Sequence, residues 1–460
     1  MTPSISTSGG PAGQASNGRT EQTPTGRGFN PFVALRHRNF RLFFIGQLIS
    51  LIGTWMQRVA QAWLVLQLTN SPFLLGLVGA LQWLPVLLFS LFGGVAADRF
   101  SKRGLLVLTQ TLQMILAFAL GLLVLTGGIR YWHVVVLATA LGLTSALDIP
   151  ARQAFIFEMV EGADMMNAVA LNSTIFNAAR VFGPAIAGVA ISTIGMAWAF
   201  LANGASFIAV IWALLLMQVR GSRVAAETNV LGHLKEGLAY LRHTALPLQV
   251  VTLVASQSVF VMNFSILVPV FAKNVLHQEA AGYGFLMSAQ GVGALVGALL
   301  IAALSHLGPR PVLLFGGTAV LSLSNLMMAG VQQFTSASVT LALAGACLVI
   351  AQATANTTLQ VTSPDHLRGR VMSMYALVMG GMTPIGSLVS GTLAELWGAR
   401  AAYGINGAAA LIGVLAVLRW RAVTQRAAPS GEFEPPAARA GRELRSPVDE
   451  PRGRGETGDP

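Results

Sequence analysis

The feature that leaves this chain fewest choices is an apolar run of about bilayer width, repeated twelve times. The runs lie near residues 41–68, 73–97, 104–127, 131–153, 167–194, 197–219, 247–275, 281–304, 311–331, 336–360, 371–396 and 402–419. Crossing roughly 30 Å of hydrocarbon as a helix takes about 20 residues, and most of the runs reach that length. Hydrocarbon offers the backbone no hydrogen-bond partners, so each run must satisfy its own as a helix. Composition agrees, because only 10% of the residues are charged and 54% are hydrophobic. Soluble domains carry roughly 25% charged residues, which they need to stay dispersed. The sequence therefore predicts an all-α membrane protein of twelve transmembrane helices.

The segments outside the runs set the organisation. Residues 1–39 are rich in Ser, Thr, Gly, Pro and Gln and poor in apolar side chains, too little buried surface to offset chain entropy, and residues 420–460 read the same way. Both are expected as disordered tails. No basic stretch, short apolar core and small-residue cleavage site precede the first run, so the first span is expected to serve as the insertion signal. The longest internal gap, 220–246, separates six spans from six. The expected units are thus bundles at 40–219 and 247–419 joined by a linker. Within the gap Leu231, Leu234, Leu238 and Leu241 recur at helical spacing opposite His233, Lys235, Glu236 and Arg242. That pattern predicts an amphipathic helix, lying on the membrane surface or packed on the ends of the bundles.

An even number of spans puts both termini on one side, and the basic residues say which. One set of gaps holds Arg36, Arg38, Arg41, Arg99, Lys102, Arg103, Arg220, Arg223, Lys235, Arg242, Arg310, Arg368, Arg370, Arg419 and Arg421. The other set holds only Arg130, Lys273 and Arg400. Basic loops stay inside, so both termini are expected in the cytoplasm. The same placement explains the net charge of +11 without nucleic acid, since no basic patch is interleaved with aromatic residues. The single cysteine, Cys347, sits in an apolar run, so no disulfide, thiol pair or metal site can be built on cysteine.

The two halves repeat. Residues 200–205 (FLANGA) recur as 403–408 (YGINGA), at an offset of 203. Leu75, Gly76 and Gln82 match Tyr283, Gly284 and Gln290 at an offset of 208, and Gly183 and Pro184 face Thr383 and Pro384 at 200. Repeats in one membrane orientation, related by an axis along the membrane normal, are a transporter architecture with the substrate path between the halves.

After the second span comes GVAADRFSKR, residues 94–103, followed by Leu106. It resembles the signature loop of the major facilitator superfamily, G-x-L-A-D-R-x-G-R-K-x-x-L. The match covers Gly94, Ala97, Asp98, Arg99, Lys102, Arg103 and Leu106, with Ala96 and Ser101 departing from the pattern. The resemblance implies a conformational latch formed by Gly94, Asp98, Arg99, Lys102 and Arg103. A carboxylate at a helix end can face the positive N-terminus of a neighbour while the basic groups pair with acids and anionic lipid. A plain basic loop is the simpler reading. In the second half the equivalent position is His306, beside Pro309, Arg310 and Pro311, so the duplicate has decayed.

The fifth span carries Gly183, Pro184, Ala187 and Gly188, which resemble the G-P-x-x-G-G element of exporters in the superfamily, with Ala187 replacing a glycine. The resemblance implies an antiporter-like hinge at Gly183, Pro184 and Gly188; small-residue helix packing accounts for the same residues. Residues 148–155 (DIPARQAF), 234–242 (LKEGLAYLR) and 359–373 (LQVTSPDHLRGRVMS) are similar to the exporter branch that contains enterobactin-exporter-like and macrolide-efflux-like proteins of the transmembrane secretion effector type. That likeness spans roughly residues 31–420. It implies a bacterial inner-membrane exporter of a small molecule, siderophore or drug-like, working as a monomer by alternating access with protons as the coupling ion.

Charge inside the bilayer is costly and marks function by default. Arg58, Asp148, Arg152 and Arg180 lie well inside runs. Asp148 and Arg152 are four apart with the acid first, so they share a helix face; an ion pair and a gating role both fit. Arg58 stands about 25 Å along its helix from Arg41, at 1.5 Å per residue, and Arg180 falls near mid-depth. Neither has a carboxylate within reach in its own span. Arginine keeps its proton, so the excess of positive charge calls for an anion, either from a neighbouring helix or from a substrate.

Amides are also plentiful: Gln57, Gln61, Asn177, Gln257, Asn263, Gln290, Asn325, Gln352 and Asn356. Some must line a polar path, because unpaired amides facing lipid are unfavourable. Candidate substrate or coupling residues are therefore Gln57, Arg58, Gln61, Asp148, Arg152, Asn177, Arg180, Asn263, Gln352 and Asn356. Trp55 and Trp63 fit best as anchors at the membrane interface, with substrate stacking as the other use. There is no phosphate-binding Gly-x-x-x-x-Gly-Lys loop, no cofactor is implied, and no His, Asp and Ser cluster suggests an enzyme. Import, lipid movement and substrate sensing are rivals on the same fold.

Overall fold

The computed structural model describes residues 32–160, 164–218, 230–304, 308 and 310–427. These residues are helical almost throughout. A 3-10 turn, Val33–Arg36, leads into α1 (Arg38–Thr69), α2 (Pro72–Arg99), α3 (Lys102–Leu125), α4 (Tyr131–Met159), α5 (Met165–Thr193) and α6 (Met196–Leu216). The second half comprises α7 (Val230–His243), α8 (Ala245–Phe260), α9 (Phe264–Asn274), α10 (Ala280–Ala303), α11 (Pro311–Met328), α12 (Phe334–Thr362), α13 (Asp365–Gly381) and α14 (Thr383–Ala427). Local sequence sets the breaks. Ser71 and Ser101 cap α2 and α3 by accepting from the amides of Leu74 and Gly104, and Pro72 occupies the first turn where its missing N–H is harmless.

Among the described residues eleven stretches are long and apolar enough to cross a membrane, the last running from Asp365 to Thr424 over 60 residues. At about 1.5 Å per residue such a helix would be roughly 90 Å long, three bilayers deep. It is instead a hairpin. Gly398 has φ 80°, and Asn406 donates to Ser390 Oγ at 2.9 Å, a contact possible only if the chain reverses between them. The described residues thus make twelve passes. Gly195, with φ 96°, makes the same reversal between α5 and α6. The two glycines are 203 residues apart, the offset of the FLANGA repeat, and glycine is what a left-handed turn of this sharpness takes.

The repeat is also visible in packing. A Cβ on Gly142 would meet Gln82 O at 2.1 Å, and one on Gly345 would meet Gln290 O at 2.1 Å. One on Gly76 would meet Ser387 O at 2.4 Å and lie against Gly391, while one on Gly284 would meet Pro184 O at 2.4 Å and lie against Gly188. These pairs equate Pro184 with Ser387 and Gly188 with Gly391 at an offset of 203. The match of Pro184 to Pro384 at 200 is therefore corrected. Proline is the rarer and more conspicuous residue, whereas the glycine that permits helix crossing holds the register. Large apolar side chains such as Phe92, Trp212, Leu299 and Ile412 face outward, where lipid solvates them.

Other departures from expectation have local causes. The segment at 33–39, expected in the tail, is structured: Ala34 is buried, and its amide donates to Asn167 Oδ1 at 3.0 Å. The seventh span is broken between α8 and α9, where Asn263 stands at the N-terminus of the second piece and donates back to Val259 O of the first at 2.7 Å. The last helix continues to Ala427, past the expected end of the final span. Of the two readings for the linker helix, packing on the bundle fits α7. A Cβ on Gly237 would meet Arg370 O at 3.1 Å, Leu241 is buried, and Glu236 pairs with Arg370. His306, Pro309 and residues 219–229 lie outside the described residues, as do 1–31 and 428–460.

Candidate functional site

The bundles meet along two equivalent crossings, α2 with α14 and α5 with α10, through the glycines just named. Closure is concentrated at the end opposite the basic loops. There Lys273 Nζ donates to Leu66 O at 2.9 Å and Asn70 Oδ1 at 3.0 Å. Glu395 Oε2 accepts from Ser71 Oγ at 2.8 Å and from the Phe73 amide at 3.1 Å. Both charges come from the second bundle. The cation sits on a carbonyl in the last turn of α1 and the anion on an amide in the first turn of α2, the sign each helix end favours. Trp63 stacks on Tyr283 across the seam with ring centroids 5.9 Å apart and is 5% exposed. It is buried between the bundles and not placed as an interface anchor: it lies only two turns from the end of α1, but that end is covered by the other bundle.

At the basic end the signature loop is tied to its own bundle. Lys102 Nζ bonds Glu158 Oε1 at 2.6 Å, and Arg103 donates to Leu215 O at 2.8 Å, at the C-terminus of α6. Among the described residues Asp98 makes no hydrogen bond or ion pair, and a Cβ on Gly94 would meet nothing within 4 Å. The acid of the expected latch and Arg99 are unengaged among the described residues, while Lys102 and Arg103 are held.

Between the two ends lies a polar pocket in the first bundle. Thr54, Gln57, Arg58, Gln61, Gln82, Gln113, Ser145 and Asn203 line it, with no carboxylate among them. Gln57 accepts from Asn203 at 2.6 Å, and Gln61 donates to Gln82 at 3.0 Å. Arg58, although two-thirds of the way along a spanning helix, is exposed, and the space it reaches is this pocket. Its guanidinium carbon lies 4.8 Å from the centre of the Trp55 ring, and that of Arg180, on α5, lies 5.8 Å from the same ring. The Nε of Arg180 is buried without a partner. Trp55 is likewise not an anchor, since two cations and the edge of Phe176 occupy its ring.

The other predicted residues divide. Asp148, 2% exposed, accepts from Thr109 Oγ1 and Gln110 Nε2, both at 2.8 Å, and pairs with Arg152. Asn177 donates to Ser173 O on its own helix, and Asn263 to Val259 O at the break before α9. Gln352 contacts Met262 Sδ at 3.3 Å, and Asn356 accepts from Gln360. None of these last four joins the Arg58 pocket. Sequence reasoning missed Gln82, Gln113 and Asn203 as lining. Gln82 and Asn203 stand inside the repeated segments, which was the available signal. Gly183 packs against Trp55 and Ile52 O, and Gly188 against Ala280 O and Ala281, so the fifth-span motif is at least a packing element.

A chain folded this way can be placed by comparison. Residues 29–453 match the family described as transmembrane secretion effector. The chain belongs to that family. It is 27% identical to the multidrug efflux pump Tap of Mycolicibacterium fortuitum, over 82% of this chain and 94% of that one. It is 26% identical to the enterobactin exporter EntS of Shigella boydii, over 83% of this chain and 92% of that one. Among solved structures, the nucleoside transporter NupG superposes with a TM-score of 0.66 at 13% identity, covering 85% of this chain and 99% of that one. The fold is that of the major facilitator superfamily. The chain is thus a multi-pass membrane transporter and not an enzyme.

Proposed function

We propose that this protein exports a small molecule, siderophore or drug-like, across the bacterial inner membrane by alternating access, with both termini in the cytoplasm. The observation that carries the reading is the asymmetry of closure: bundles tied at one end, untied at the signature loop, and enclosing a polar pocket. With the basic loops inside, this is the cytoplasm-open state, the one in which an exporter loads. Export would require the Lys273 and Glu395 ties to part as the basic ends close. Asp98 ends α2, the helix whose other end Glu395 caps from α14, so the same helix pair would latch at either face. In this reading residues 40–219 and 247–419 are the rocking units, 220–246 links them, and Gly183, Pro184 and Gly188 allow α5 to slide on α10. Each chain supplies both walls of the path, so one copy suffices.

A proton gradient is the expected energy source, and Asp148 is a poor vehicle for it in this state because three donors hold it. The test is intracellular accumulation of a panel of siderophores and drugs in cells with and without the gene. Lower accumulation of a subset of compounds in expressing cells, restored by Asp98→Asn at equal membrane abundance, is the expected result. Higher accumulation would indicate import, and no change across the panel would fit a sensor.

A further inference from the structure

The Arg58 pocket contains donors and no acid. Its amides and hydroxyls come from α1, α2, α3, α4 and α6, and the one formal charge in its lining is positive. Arg58 also feels Arg152 and Arg180, which raises the local positive potential. Of these three only Arg152 has a carboxylate, Asp148. Among the described residues Arg58 and Arg180 have none, and the indole they share cannot neutralise them. A ring face attracts a guanidinium but leaves its in-plane N–H groups free. Two held forks with unused donors suit a planar oxyanion, which a guanidinium binds through paired hydrogen bonds.

We propose that Arg58 and Arg180, held by Trp55, bind the anionic head of an organic substrate. This rests on the export reading for its purpose but not for its chemistry. Size narrows the class. The pocket holds about 60 Å³, whereas sites for whole drug-sized ligands hold roughly 300–1,000 Å³. A carboxylate or similar head fits, and the body of the molecule then lies between the bundles, beside the exposed ring of Phe176. Arg180 sets the position of that head relative to the seam, since a Cβ on Gly291 of the second bundle would meet Arg180 O at 2.7 Å. A bound anion therefore touches the element that must slide.

The experiment is equilibrium binding to the purified full-length protein in uncharged detergent, using 2-naphthoate against 2-naphthamide, which has the same shape without the charge. The expected result is saturable binding of the naphthoate alone, weakened about tenfold or more by Arg58→Gln and by Arg180→Gln and partly kept by Arg58→Lys. Equal binding of the two probes, or naphthoate binding indifferent to both glutamine variants, would overturn the proposal. If a glutamine variant does not fold, competition in the wild type decides: benzoate should displace naphthoate where benzamide at the same concentration and ionic strength does not, and equal effects of the two count against the site. Repeating the titration in phosphatidylcholine discs with and without phosphatidylglycerol separates the sources of the anion. Loss of naphthoate binding only when the anionic lipid is present would assign the pocket to a lipid headgroup and overturn the substrate role. Anion binding without any efflux would sink the export reading and leave the site standing, whereas efflux of neutral or cationic compounds without anion binding would do the reverse.

Discussion

Four charged residues within the membrane have two different fates, and neighbours on other helices decide which. Asp148 and Arg152 satisfy one another, with Thr109 and Gln110 completing the carboxylate. Breaking a buried pair by removing one partner typically costs about 3–5 kcal/mol, and partial exposure of Arg152 puts Asp148→Asn at the lower edge, about 3 kcal/mol. The expected outcome is a clearly lowered melting temperature in detergent, with Arg152→Gln milder because Asp148 keeps two neutral donors. A proton-carrying Asp148 would instead leave the melting temperature near the wild type while abolishing gradient-driven transport. The sequence identified all four residues because charge in an apolar run is conspicuous. It could not show that Arg58 and Arg180 share Trp55, because that meeting depends on how α1 packs against α5. Nor could it distinguish an anchor tryptophan from one buried between the bundles, since both stand near helix ends and differ only in what covers them.

Helices α1 and α2 meet in a corner whose two ends are read by opposite charges from the second bundle. Lys273 and Glu395 each act on a helix terminus at partly or fully exposed positions, where such contacts contribute about 0.3–1 kcal/mol. Their sum is small beside the burial at the glycine crossings but comparable with the energies that shift a two-state equilibrium by several-fold. Glu395→Gln and Lys273→Gln should therefore fold normally and move the population toward the state closed at the basic end. The measurement is the distance between spin labels on the two bundles at each face, with the outer-face distance lengthening; an unchanged distribution in both variants would dismiss the clamp. Gly76→Leu should act in the same direction more strongly, since even a Cβ there meets Ser387 O. At this scale the sequence was most legible. Apolar runs located every span, and the FLANGA repeat already held the register that Gly195 and Gly398 confirm. The break after Phe260 and the contact of α7 with α13 were not legible, because a kinked helix and a packed surface helix carry the same apolar pattern as a straight or lipid-bound one.

The molecule as a whole sits in an electric field that its substrate charge must answer to. If the pocket carries an organic anion outward, each turnover moves negative charge out of a cell whose interior is negative. The gain is about 2.3 kcal/mol per charge at 100 mV, about fiftyfold in the concentration ratio the potential alone can sustain. A proton taken up in exchange would move charge in the same electrical sense, so the sign of the voltage effect does not depend on whether a proton is carried. Efflux from vesicles loaded with the substrate and facing as in the cell should rise with an inside-negative potential set by a potassium gradient and valinomycin, with the pH equal on both sides. It should fall when the potential is clamped to zero. A pH gradient applied at zero potential then reports on protons separately: acceleration by external acid identifies exchange, and indifference identifies transport of the anion alone. Efflux that responds to the pH gradient and ignores the potential would mean an electroneutral cycle, which a single anion leaving with no proton entering, or against one proton entering, cannot produce. That result would exclude an anion that leaves alone or against one proton, on grounds independent of any mutation.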